Sequence, residues 1–232
     1  MAAGPQPPPH PYYAYTAAYW ENQRAGRIDN TKTGLLLLMI GLLIAWIPFI
    51  GAVGGIIALV GALLVILGRE AFGQEHARNV ILSIIFFFVG IGISIVGALV
   101  LFFAAISFTA NNPGFIVQPS FVSLGLIIIV GGAITSIAQV LLTYALQKRN
   151  GRILLWSGYA TSIALNIVNT LIIYPLFVGG RPFFFETGLF FLPAFLGAIP
   201  ALLYAVAYYL ARDRIVRREI PSPMMQQSSV TM

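Results

Sequence analysis

Residues 33–68 read TGLLLLMIGLLIAWIPFIGAVGGIIALVGALLVILG, and these 36 residues between Lys32 and Arg69 hold no charged side chain. One helix of that length would be about 54 Å long, against a bilayer hydrocarbon core of about 30 Å. The segment Trp46-Ile47-Pro48-Phe49-Ile50-Gly51 divides it. Proline there cannot donate a helix hydrogen bond, and glycine marks a turn. The reading is two helices, about 34–48 and 51–67, forming a tight hairpin. The alternative is a re-entrant hairpin that dips in and returns on the same side.

Outward from this stretch, other charge-free gaps repeat the pattern. Between Arg78 and Lys148 lie 69 residues, between Arg152 and Arg181 lie 28, and between Glu186 and Arg212 lie 25. A spanning helix needs about 20 residues. The longest gap holds two spans, because Asn111, Asn112, Pro113 and Gly114 punctuate its middle and Pro119 follows. The chain therefore reads as an all-α integral membrane protein with six transmembrane helices, about 34–48, 51–67, 80–108, 121–147, 153–178 and 189–211. Four spans plus a re-entrant hairpin is the alternative. The organisation is a disordered Pro- and Tyr-rich tail over 1–30, a bundle over 31–218 and a disordered tail over 219–232.

The distribution of basic residues orients this topology. With both termini in the cytoplasm, the inner side holds Arg24, Arg27, Lys32, Arg69, Arg78, Lys148, Arg149, Arg152, Arg212, Arg214, Arg217 and Arg218, and the outer side only Arg181. Such asymmetry is the signature of inward-facing loops. The re-entrant alternative preserves it, so charge does not separate the two hairpin readings. Composition agrees: 59% of the 232 residues are apolar and 9% charged, against about 25% charged in a soluble domain. The net charge of +6 then reports orientation rather than nucleic acid. The expected setting is a cell membrane, with the lipid bilayer as first partner and a homo-oligomer or other membrane proteins as further ones.

The hairpin Gly34–Gly68, its polar turn and the following Asn79-Val80-Ile81-Leu82 resemble small uncharacterised prokaryotic multi-pass membrane proteins, archaeal ones especially. The resemblance covers the first half of the chain and implies a polytopic membrane fold. It carries no activity to any residue.

Enzyme chemistry finds little footing. The chain has no cysteine, which excludes disulfides, thiolate metal sites and Cys nucleophiles. Gly92-Ile93-Ser94-Ile95-Val96-Gly97 lacks nucleophile-elbow spacing, and Glu75-His76 has no second histidine for a metal motif. No catalytic residue, metal ligand or cofactor site is assigned. The Arg69–Asn79 connection, with His76, reads as a solvated turn. Pro193 and Pro200 read as kinks in the last helix. No Asp, Glu, Lys, Arg or His falls inside an expected span, unlike proton-coupled carriers, which place ionisable groups there.

Small and polar residues do recur at helical spacing. Gly132, Ser136, Gln139 and Thr143 form one stripe, and Gly158, Ser162, Asn166 and Asn169 another. Ser83, Gly90, Ser94 and Gly97 form a third, and Gly51-x-x-x-Gly55 with Gly54, Ala58 and Ala62 a fourth. Two readings are open. The stripes pack helices together, with amides bonding across the interface. Or Gln139, Asn166 and Asn169, beside Ser136 and Ser162, line a polar path. The corresponding functions are a non-enzymatic structural, scaffolding or accessory component, and a channel or carrier for a small neutral or apolar solute. After the last helix, Arg214, Arg217 and Arg218 are candidates for a lipid-headgroup contact.

Overall fold

The computed structural model describes residues 11–111, 119–170 and 192–220. Among them the chain is helical, with no strand. Six long helices follow in order: α1 Pro11–Ala45, α2 Gly51–Gly68, α3 Gln74–Asn111, α4 Pro119–Tyr144, α5 Arg149–Val168 and α6 Leu192–Val216. A 3₁₀ turn, Arg69–Phe72, joins α2 to α3. Five stretches are long and apolar enough to cross a membrane: Glu21–Ala45, Gly51–Phe72, Gln74–Val100, Gly125–Tyr144 and Ala194–Val216. The described part of α5 is not among them. It opens on Arg149 and Arg152, and its expected continuation to 178 lies outside the described residues.

α1 corrects one expectation. Residues 11–30, read as disordered tail, are helical; residues 1–10 and 221–232 lie outside the described residues. The reason is local. After Pro11, which opens the helix where a missing N–H is harmless, residues 12–30 contain no proline and four alanines. Tertiary contacts then hold the C-terminal part of this stretch. Ile28 packs against the core, Arg27 pairs with Glu70, and beyond it Thr31 is fully buried.

The expected break between the first two helices is present. α1 stops at Ala45, and Phe49 takes a positive φ of 68° before α2 begins. α1 and α2 then run antiparallel in backbone contact. A Cβ on Gly34 would lie 2.6 Å from the Gly61 carbonyl oxygen, and one on Gly41 2.5 Å from the Ala58 nitrogen. The seam residues Gly34 and Gly41 on α1, and Gly54, Gly61 and Gly68 on α2, recur every seven residues. That period keeps a contact line on one side of two helices crossing in the left-handed sense. Gly51 backs onto Ala45, but Gly55 faces open space. The Gly51-x-x-x-Gly55 pair is therefore not the α2 packing face.

α3 and α4 form a second hairpin on the same plan. Gly90 lies against Thr135 and Gly131, with a Cβ on Gly90 falling 2.5 Å from the Thr135 nitrogen. The buried Ser83 hydroxyl donates to the Ala138 carbonyl at 2.7 Å. Packing then runs α2 on α1, α1 on α6, α6 on α5, α5 on α4 and α4 on α3. The outer faces of α2 and α3 are left exposed and apolar, with Ile56, Leu59, Leu63, Phe88, Val96 and Leu99 each at least half exposed. An apolar surface of that extent needs lipid or a partner rather than water.

Element boundaries shift where turns form. α3 begins at Gln74 after Gly73, whose φ is 97°, rather than near residue 80. His76, read as part of a solvated turn, is 1% exposed and meets Phe72 edge-on at 5.5 Å. α4 ends at Tyr144 and α5 starts at Arg149, so the connection is shorter than expected. α6 continues to Val216. Pro193 sits in its first turn, where it breaks no hydrogen bond, while Pro200 lies inside it.

Candidate functional site

The core is concentrated at the end of the bundle that carries the basic residues. Leu35, Leu38, Val65, Val80, Leu146 and Ile215 belong to it. Ion pairs gather at this end: Arg27 with Glu70, Lys148 with Glu219 at 2.7 Å, and Arg217 with Asp213 at 2.9 Å. At the opposite end, Trp46 after α1 meets Phe195 of α6 with ring centroids 6.0 Å apart. α1 and α6 are thus antiparallel, and the N-terminal part of α1 lies at the same end as the C-terminus of α6.

Below Trp46 and Phe195 a cavity of about 330 Å³ opens between α1, α4, α5 and α6. Leu42, Ala45 and Trp46 wall it from the α1 side, and Gly197, Pro200 and Tyr204 from α6. Gln139 of α4 and Ser162 of α5 add polar groups to those of Trp46 and Tyr204. Gly197 leaves space here, since nothing lies within 4 Å of where its Cβ would be. Pro200 has no N–H, so the carbonyl four residues earlier, at Leu196, loses its regular helix partner.

Tyr204 bounds the cavity toward the basic end, and Tyr208 follows one turn further along α6. The Tyr204 hydroxyl donates to the Ser136 carbonyl at 3.4 Å, and the Tyr208 hydroxyl to the Gln139 carbonyl at 3.1 Å. Tyr208 is 1% exposed. Gly158 lies flat against the Tyr204 ring, where a Cβ would sit 3.2 Å away.

The five polar residues singled out in the sequence divide in four ways. Ser136 and Ser162 share a hydrogen bond of 2.9 Å across α4 and α5. Asn166 is seated against Gly132, where a Cβ would fall 2.9 Å from its Nδ2. Asn169 lies just past α5, and its buried Oδ1 has no hydrogen-bond partner among the described residues. Gln139 alone of the three amides reaches the cavity wall, so Gln139, Asn166 and Asn169 do not form one continuous lining.

The arginine candidates are largely engaged within the protein. Arg214 donates to the Leu146 carbonyl and lies 3.6 Å from Glu219. Arg217 pairs with Asp213. Arg218 has a φ of 56° and ends α6: its N–H bonds the Ile215 carbonyl, and that of Glu219 bonds Arg214. This is a Schellman closure with arginine at the left-handed position. The hydrogen bond from Lys148 holds the Glu219 carboxyl below the usual carboxylate range, helped by the charges of Lys148, Arg214 and Arg217.

Among the described residues no group of three His, Cys, Asp or Glu comes together as a metal site. Among the described residues the cavity lining carries no Asp, Glu, Lys, Arg or His. It can therefore recognise a guest by shape and neutral hydrogen bonds. Trp46, read in the sequence as part of the break between the first two helices, walls the cavity because α6 meets it there, and that role had no sequence signal. No family model, curated protein or solved structure matches this chain.

Proposed function

We propose that this chain is a six-span protein of the cell membrane with both ends in the cytoplasm, and that its role is structural or accessory rather than enzymatic. The observation that carries this reading is how its polar and small residues are spent. Gly34, Gly41, Gly61, Gly90 and Gly131 sit at backbone contact inside two hairpins. Ser83, Ser136 and Ser162 bond across helices. Such contacts build a rigid helical frame. The exposed apolar faces of α2 and α3 are its surfaces for lipid, for a second copy or for other membrane helices. α2 with its 3₁₀ turn runs 22 residues, about 33 Å of helix, which favours a spanning hairpin over a re-entrant one.

A second reading rests on one feature, the cavity holding Gln139 and Ser162. It favours a carrier or channel for a small neutral solute. Flux of small neutral solutes into proteoliposomes separates the two. Flux no greater than in empty liposomes supports the structural role. Flux that falls in Gln139→Leu, with the fold retained, supports the carrier. Gln139 is a better probe than Asn166, because Gln139 lines the cavity and Asn166 does not.

A further inference from the structure

Beside the basic end, a groove of about 550 Å³ runs along one face of α5, lined by Arg149, Arg152, Ile153, Trp156, Ser157 and Ala160. These positions share one helix face, and from Arg149 to Ala160 they cover about 16 Å along the axis. That length is close to the thickness of one leaflet's hydrocarbon, roughly 15 Å. The groove is chemically graded along this length. Two guanidinium groups stand at its outer end, the Trp156 indole and Ser157 hydroxyl in the middle, and Ile153 and Ala160 supply the aliphatic surface.

Three observations separate this pair of arginines from those after α6. Arg149 and Arg152 have no carboxylate partner among the described residues, whereas Arg214 and Arg217 are paired. The Arg152 guanidinium is held 4.5 Å above the Tyr144 ring. Trp156 is 47% exposed and braced edge-on by Tyr159 at 5.5 Å. A guanidinium held on Tyr144, with that of Arg149 beside it and a half-exposed tryptophan further along the helix, matches a phosphate above an acyl chain.

We propose that this groove binds one anionic phospholipid, its phosphate between Arg149 and Arg152 and an acyl chain along Trp156 and Ala160. The proposal rests on the reading that the chain spans a membrane. It moves the headgroup site from Arg214, Arg217 and Arg218 to the start of α5. Two guanidinium groups at the surface correspond to an enrichment of an anionic lipid of up to roughly thirtyfold over its bulk fraction.

The chain has three tryptophans, so Trp20→Phe with Trp46→Phe leaves Trp156 as the only indole. Its fluorescence in full-length protein, reconstituted in phosphatidylcholine bilayers, is quenched by lipids brominated on the acyl chain. The expected result is stronger quenching by brominated phosphatidylglycerol than by brominated phosphatidylcholine at equal mole fraction. Arg149→Gln with Arg152→Gln should remove the excess, and the paired lysine variant should retain much of it. Equal quenching by both lipids overturns the proposal, as does an excess that survives the glutamine variant. Inorganic phosphate that abolishes the excess at constant ionic strength would assign the site to a soluble anion instead. Absence of quenching by either lipid would reject the membrane reading itself. If the tryptophan variants do not fold, native mass spectrometry of the otherwise wild-type protein gives the same decision. Retention of phosphatidylglycerol over phosphatidylcholine that is lost in the Arg149→Gln, Arg152→Gln variant supports the site, and equal retention rejects it.

Discussion

A methyl group placed on Gly61 of α2 would lie 2.6 Å from the amide nitrogen of Leu38 on α1. Neither helix backbone can retreat without opening the seam that Gly34, Gly41 and Gly54 extend. Gly61→Val should therefore destabilise the protein by about 1–3 kcal/mol, in the range of overpacked cores. Gly55 has nothing within 4 Å of its Cβ position, so Gly55→Ala should change stability by less than about 0.5 kcal/mol. Thermal unfolding in detergent, monitored by scattering or a thiol-independent dye, compares the two.

The Ser83 hydroxyl and the Ala138 carbonyl join the second hairpin at 2.7 Å in a buried site. Ser83→Ala should cost about 0.6 kcal/mol, the average for interhelical bonds in membranes, and at most about 1.7 kcal/mol. Ser94, whose hydroxyl bonds back to the Gly90 carbonyl in its own helix at 2.9 Å, is the comparison. Its loss should cost less, because no bond between helices is broken. Unfolding in the same detergent reads both.

Topology can be tested without removing any native thiol, since the chain has no cysteine. Phe49, 91% exposed between α1 and α2, and Glu75, exposed at the start of α3, should lie on opposite membrane faces if α2 spans. Single variants Phe49→Cys and Glu75→Cys should then react with an impermeant maleimide from opposite sides. Labelling of both from the same side would establish the re-entrant hairpin instead.

Arg218 closes α6 with a φ of 56°, a conformation that costs a residue with a Cβ about 1–2 kcal/mol. Its backbone bonds are those of a Schellman motif, in which glycine is the usual residue. Arg218→Gly should accordingly raise stability by up to about 1 kcal/mol. A melting temperature that falls would mean that the arginine side chain contributes more than its backbone costs.

Glu219 has its folded-state pKa lowered, first by the hydrogen bond from Lys148. A lowered carboxyl pKa stabilises the fold above the ordinary carboxylate range, and that contribution is lost as pH falls through the folded value. The difference in melting temperature between wild type and Glu219→Gln should therefore be present at neutral pH and shrink in acid. A difference independent of pH would show that charge on Glu219 does not hold the end of α6.

The helical membrane class was legible because it depends on additive quantities, uncharged length and total apolarity, which any packing of the chain conserves. The break at Pro48 was legible for a related reason, since the missing N–H acts wherever the residue lies. The helical state of residues 11–30 was only half legible. Alanines permit a helix there, but Ile28 is anchored by the tertiary core and Arg27 by Glu70, 43 residues away.

What the sequence by itself determined was which segments are apolar enough to leave water and which stripes must find protein or lipid partners. It left open which stripe meets which. Gly51 and Gly55 have familiar spacing, yet the seam runs through Gly54, Gly61 and Gly68, because the contact line is chosen jointly by two helices. Gln139 and Asn166 look alike on their own helices. Only the approach of α6, with Pro200 and Tyr204, puts Gln139 on a cavity, while Gly132 leaves Asn166 a place to pack. A side chain's chemistry is carried by its residue, but whether it is spent on packing or left available is a property of its neighbours, and those are brought together by tertiary structure.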